Sequence, residues 1–156
     1  MPRNRPVATS SPPPRTRLGI EHYALLARFR YALRTFLRFS DVAAAEVGLT
    51  TRHYQALLVL RGWPADQRVS ISALAEQLLI RHNSAVGLVD RLYKQGLVAR
   101  DVAPDDARKV HLRLTARGTK VLERLASVHR SELRRIGPQL RALLDEISGG
   151  RTQTPR

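Results

Sequence analysis

The chain contains no cysteine. That removes disulfides, thiolate zinc sites and any thiol-based peroxide sensor from consideration, and leaves the redox compartment unmarked. Aromatic residues make up only 5% of the 156 residues, with a single tryptophan, and 13 acidic residues stand against 27 basic ones. No apolar run approaches the roughly 18 residues of a membrane-spanning helix, and the amino end lacks the apolar core of a secretory signal. A cytoplasmic protein with no membrane partner is therefore expected. Motifs that would announce an enzyme, such as GxSxG, a P-loop or HExxH, are missing, and the few carboxylates mostly sit beside arginines. His22, His53, His82, His111 and His129 show neither HxH nor HxxxH spacing, so no metal site is expected. The chain thus reads as a non-enzyme without a cofactor.

What is abundant is positive charge. The formal net charge is +14, which makes a polyanion the first partner to consider, nucleic acid ahead of an anionic membrane. Nearly all of the charge is arginine, with Lys94, Lys109 and Lys120 the only lysines. A guanidinium forks onto phosphates and base edges in a way an ammonium does not.

Composition shifts divide the chain. Residues 1–17 hold five of the nine prolines, four arginines and no acidic residue, the signature of a disordered basic arm. Residues 149–156 read as a tail. From Glu21 to Phe39 apolar residues recur at helical spacing, with Leu26, Phe29, Leu33 and Phe36 on one stripe, and "DVAAAEVG" continues or follows this helix as far as Gly48. Thr50 or Thr51 is placed to cap a second helix ending near Arg61. Ser70 or Ser72 then caps the short "ISALAEQLLI". The following "RHNSAVGLVDRLYKQG" carries Ala85, Leu88, Val89 and Leu92 at i, i+3, i+4 and i+7, with Gly96 at its carboxyl end.

Two short helices separated by "LIRHN" make a helix-turn-helix candidate. After them the period drops from 3.6 to 2: "LVAR" and "VHLRL" are strand-like and flank the polar "DVAPDDARK", which predicts a hairpin with a long tip. Thr115 is positioned to cap a helix through about Ile136, and Pro138 to open a separate final helix lined by Leu140, Leu143, Leu144 and Ile147.

Helix, helix, hairpin is the winged helix-turn-helix order, in which the second helix enters the major groove and the hairpin reaches the flanking minor groove. On a helical wheel Asn83, Gly87, Asp90, Arg91 and Lys94 lie opposite the apolar stripe, with Ser84 at its edge, while Arg81, His82 and Asn83 form the first turn. Arg91 could alternatively pair with Asp90 or Asp101. An exposed loop with ordinary surface charge would explain "PDDARK" by spacing alone.

These blocks resemble the MarR family of transcriptional regulators. "SISALAEQLLIRHNSAVGLVDRLYKQGLVAR" is similar to that family's two reading helices and first wing strand, and "DDARKVHLRLTARG" to its Asp-x-Arg wing followed by Leu-Thr-x-x-Gly. The likeness covers roughly residues 20–147. It implies a mainly α fold with a small β-hairpin: an N-terminal dimerisation helix over 18–48, a winged helix-turn-helix domain over 49–114 and C-terminal dimerisation helices over 115–148. It implies a homodimer on a pseudo-palindromic double-stranded DNA operator, acting as a ligand-responsive repressor; the competing reading is a sequence-nonspecific architectural DNA-binding protein. The DNA-contacting set is Arg81, His82, Asn83, Ser84, Val86, Gly87, Arg91, Lys94, Asp106, Arg108 and Lys109, with Arg108 expected to enter the minor groove and Asp106 to orient the wing.

Two departures stand out. Ala107 replaces a second wing arginine, and Val86 and Gly87 occupy positions where relatives usually carry a hydroxyl residue and an arginine. For a small phenolic or anionic effector, the polar aromatics His22, Tyr23, His53, Tyr54 and Trp63 are the candidates; each also has an ordinary packing explanation.

Overall fold

The computed structural model describes residues 18–103 and 106–149. The basic arm over 1–17 and the tail from 150 onward lie outside the described residues. The chain is mainly helical: α1 (Ile20–Ala45), α2 (Thr51–Gly62), β1 (Val69–Ser70), α3 (Ile71–Gln77), α4 (His82–Lys94), β2 (Val98–Ala103), β3 (Asp106–Leu114) and α5 (Ala116–Ile147). The strands form one antiparallel sheet in the order β1-β3-β2.

Short polar side chains start the helices where unpaired backbone N–H groups need acceptors. Thr50 Oγ1 accepts from the His53 N–H, and His53 Nδ1 accepts in return from the Thr50 N–H at 3.1 Å, a reciprocal capping box. Ser70 Oγ accepts from the Ala73 N–H at 3.1 Å, and Thr115 Oγ1 from the Gly118 N–H at 3.0 Å. Glycine stops α4: Gly96 sits at φ +69°, its N–H reaches the Tyr93 carbonyl at 2.9 Å, and the Leu97 N–H reaches that of Leu92 at 3.0 Å. This 6→1 and 5→2 pair is the Schellman arrangement, closed by apolar Leu92 and Leu97, both buried.

The core lies where α2, α3, α4, the sheet and the first half of α5 meet. Leu57, Leu74, Val89, Leu92, Val98 and Leu125 are essentially sealed from solvent, each burial contributing about 1.5–3 kcal/mol. Gly118 permits the closest approach. A Cβ there would stand 2.0 Å from the Leu97 carbonyl oxygen, so the Leu-Thr-x-x-Gly sequence couples a cap at Thr115 to tight seating of α5 on the end of α4. Thr115 Oγ1 also donates to the Gly96 carbonyl at 2.7 Å.

A buried polar node joins α1, α2 and α5. His129 is 4% exposed, its Nε2 lies 2.8 Å from Ser40 Oγ, and its ring stacks on Tyr54 at 4.2 Å between centroids. Phe36 and Phe39 meet its edges. The Leu125 carbonyl, 2.7 Å from Nδ1, can only accept, so Nδ1 carries a proton toward it.

Three local expectations are corrected. The proline break is absent: α5 runs unbroken through Pro138. Gly137 has no Cβ to clash with the proline ring, and the carbonyl freed at Arg134 lies on an exposed stretch where water can satisfy it. Second, the sheet gains a third strand, since Val69 pairs with Leu112 and Ser70 with His111. Third, the hairpin tip is short, because β2 extends to Ala103 and β3 begins at Asp106, with a register shift between Val102 and Ala103. The two strands, β2 to Ala103 and β3 from Asp106, take up most of the polar "DVAPDDARK" segment.

α1 and the far half of α5 run against each other, with Arg28 and Glu146 3.8 Å apart, and α5 buries Ile136 and Leu143 there. Only Ser40, Ala43 and Ala44 of α1 are buried. Leu26, Leu37, Val42, Leu133 and Leu144 are each at least 43% exposed.

Candidate nucleic-acid interface

The turn from α3 to α4 is tight. Leu79 takes the left-handed conformation at φ +52° while its neighbour's N–H, that of Ile80, reaches back to the Ala75 carbonyl at 3.0 Å. A residue without branching at Cβ tolerates this at a cost of about 1–2 kcal/mol relative to glycine. Its side chain is 93% exposed. The turn redirects the chain so that α4 seats Ala85, Leu88, Val89 and Leu92 in the core.

The opposite face of α4 is free. Arg81, His82, Asn83 and Ser84 are all exposed, as are Arg91 and Lys94, and Val86 and Gly87 are half-buried. No side chain caps the amino end of α4. Its first N–H groups, with the positive end of the helix dipole, are therefore available to an anion. His82 Nδ1 stands 3.3 Å from Ser72 Oγ and ties the first turn of α4 to that of α3. A Cβ added at Gly87 meets nothing within 4 Å, so packing within this chain does not demand a glycine there.

Ion pairing on this face differs from the pairing open to Arg91. Asp90 is held by Arg100 of β2, and Asp101 by Arg113, Nε to Oδ2 at 2.8 Å. Arg100 also lies over the Tyr93 ring, 5.0 Å from its centroid. The hydrogen bond from Arg100, helped by the Arg100 and Lys94 charges, holds the Asp90 carboxyl below its usual range. Together Asp90, Tyr93 and Arg100 fasten α4 to the first strand of the hairpin. This fastening escaped the sequence reading because its partners sit ten residues apart on different elements. Arg91, in no ion pair among the described residues, instead lines a cleft of about 550 Å³ with Asp41, Thr51 and His53. Burial, with the Arg91 charge second, lowers the His53 pKa.

On the hairpin, Asp106, Arg108 and Lys109 belong to the first half of β3, Asp106 opposite Ala103. Their side chains lie outside the described residues.

The five polar aromatics are not gathered at one place. His53 borders the cleft beside Arg91, and His22 borders another with Leu25, Arg28 and Glu146. Tyr23 is 61% exposed on α1, Tyr54 is buried against His129, and Trp63 borders a third cleft beside the sheet. Burial raises the Tyr54 pKa.

The MarR family model matches residues 47–109, from just after α1 into β3. The "Putative transcriptional regulatory protein for hcr operon" of Thauera aromatica is 31% identical over 96 residues, 62% of this chain. The chain spans about half the length of that curated relative, 56%. AbsC, a MarR family transcriptional regulator from Streptomyces coelicolor, is 22% identical, with 84% of this chain and 91% of that one covered at a TM-score of 0.69.

Over residues 47–109 the chain is similar to the MarR family.

A mutant of MepR from S. aureus, solved bound to an oligodeoxyribonucleotide, has the same fold at 20% identity and a TM-score of 0.64, with 81% and 96% of the two chains covered. Within this MarR-family fold, α3 and α4 form the helix-turn-helix and β2 and β3 the wing. Among the described residues no helix is long and apolar enough to cross a membrane.

Proposed function

We propose that this chain is a MarR-family, sequence-specific, double-stranded-DNA-binding transcription regulator acting as a homodimer on a pseudo-palindromic operator, as a ligand-responsive repressor. The observation that carries it is the exposed, uncapped first turn of α4, Arg81 to Ser84, presented by a helix whose other face is locked into the core and whose flank is fastened to the wing. In this reading α4 lies in the major groove. Arg81, Asn83 and Ser84 face base edges, Val86 packs on a thymine methyl, and His82, Arg91 and Lys94 serve the phosphates. Gly87 leaves room for the DNA to approach. Arg108 enters the minor groove, with Asp106 and Lys109 beside it, where narrow A·T stretches concentrate negative potential.

The apolar residues left exposed on α1 and α5 support a two-fold partner, which would set two α4 helices about one DNA turn apart, roughly 10 base pairs. The MepR mutant's complex with an oligodeoxyribonucleotide agrees with the DNA reading. Such a regulator works in the cytoplasm and needs no catalytic group.

Footprinting on the DNA upstream of the chain's own gene and its neighbour, with bulk DNA as competitor, tests this. A protected palindrome preferred by about a thousandfold or more at physiological salt is expected. Arg108→Ala should weaken that complex and its preference for A·T flanks. One observation favours a sequence-nonspecific architectural role: the centre of the reading face, Val86 and Gly87, has no side-chain hydrogen-bonding group under a net charge of +14. Equal displacement by bulk DNA would establish that role instead.

A further inference from the structure

The same helix-ending turn is built twice in this chain. At the end of α4, Gly96 at φ +69° sends its N–H to the Tyr93 carbonyl while the Leu97 N–H reaches that of Leu92. At the end of α3, the Leu79 N–H reaches the Glu76 carbonyl at 3.1 Å and the Ile80 N–H that of Ala75 at 3.0 Å, with Leu79 at φ +52° in the glycine's place. Glycine holds this position without steric cost, and leucine does not. Leu79 is the one non-glycine residue with positive φ among the described residues.

Its side chain compounds the cost. Leu78 and Ile80 pack against the core, whereas Leu79, at 93%, is the most exposed large apolar residue among those described. Glycine would remove both the strain and the apolar surface left in water. Nothing inside the chain offsets either, and strain of this kind persists where function uses it.

The place of Leu79 identifies the use. It stands two residues before Arg81, the N-cap of α4. At most about 7 Å of chain therefore separates it from the uncapped amino end that the regulator reading puts in the major groove. The apolar group that base edges present in that groove is the C5-methyl of thymine.

We propose that Leu79 is a further specificity-determining residue, its side chain packed on a thymine C5-methyl at the edge of the groove that α4 enters. The proposal deepens the regulator reading and rests on it. Val86 brings the same chemistry from within α4, so the two contacts are told apart by the thymine each one reads.

Operator duplexes in which each thymine of the protected palindrome is replaced in turn by uracil, which lacks only that methyl, are titrated with the full chain and with Leu79→Gly. At a thymine of each half-site the wild type should lose about fourfold in affinity, what burial of one methyl-sized group supplies. Leu79→Gly should bind the unmodified operator more weakly and show no further loss at that thymine, while the one read by Val86 stays sensitive in both chains. Leu79→Met, apolar and unbranched at Cβ, should keep the dependence. The glycine variant should melt no lower than the wild type, and its salt slope should be unchanged because no phosphate contact is removed. A wild-type chain without a preferred operator would remove the regulator reading and this role together. With operator preference intact, the role alone is overturned if Leu79→Gly binds like the wild type, or if every uracil costs both chains the same.

Discussion

The lobe from α2 to the start of α5 and the paired helices α1 and distal α5 solve the burial problem in opposite ways. In the lobe, short elements capped by Thr50, Ser70 and Thr115 turn tightly enough that leucines from several elements seal one another. The long helices carry apolar residues along most of their length, yet α1 buries three small residues fully, half-buries Phe29, Leu33, Phe36 and Phe39, and leaves Leu26, Leu37 and Val42 exposed. Stripe strength therefore does not measure how much a helix buries within its own chain. It measures how much surface must be covered by something, and the lobe finds more of that cover internally than the long helices do.

The comparison can be broken or sharpened by substitution. Leu92→Ala, at a sealed lobe position, should cost about 2–5 kcal/mol in chemical unfolding; a loss under about 1 would mean the lobe is less closed than its burial implies. Gly118→Ala drives a methyl into the Leu97 carbonyl and should cost about 1–3 kcal/mol, even though alanine is the better helix former. Leu144→Glu, on the uncovered region, should leave lobe stability within about 0.5 kcal/mol while halving the mass seen by light scattering. If the mass is unchanged, the exposed leucines have another purpose. Gly87→Ala should stabilise by about 1 kcal/mol, because nothing stands within 4 Å of the added carbon, and should weaken DNA binding if the groove approaches that face closely.

The smallest effect is a pH slope. Because burial lowers the His53 pKa, the unfolded chain takes up this proton first as pH falls. His53 therefore contributes fully above its ordinary value of 6.5 and loses its contribution as pH drops toward its folded value. Replacing it with glutamine, which can still serve a capping box, should flatten thermal stability between about pH 6.5 and 5. An unaltered slope would place the pH sensitivity elsewhere.

Much of the fold was legible because the signals are local. Capping hydroxyls sit three residues from the N–H they accept, Gly96 follows its helix directly, and the Ala85-Leu88-Val89-Leu92 stripe states which face of α4 goes inward. What stayed hidden is non-local or too short to have a period. β1 is two residues long, below anything alternation can mark. The Asp90–Arg100 pair requires knowing that β2 returns alongside α4. At Pro138 the sequence offered a stop, and the glycine before it together with an exposed carbonyl turned the stop into an ordinary helical residue. The reading face was legible as a set of exposed positions. The scattering of His22, His53, Tyr54 and Trp63 was not, since their separation depends on how three helices cross.

The fastening of α4 to β2 through Asp90, Tyr93 and Arg100 has a mechanical consequence. A reading helix pinned to its wing cannot tilt alone, so helix and hairpin behave as one jaw of a caliper. In the dimer proposed above, the gap between two such jaws would be set at the hinge where Ser40, Tyr54 and His129 join the lobe to the long helices. A molecule that changes the gap has to push on the hinge or pry the wing from its helix, and the two leave different marks: a shifted spacing between intact half-site footprints, or the loss of protection at their flanks alone.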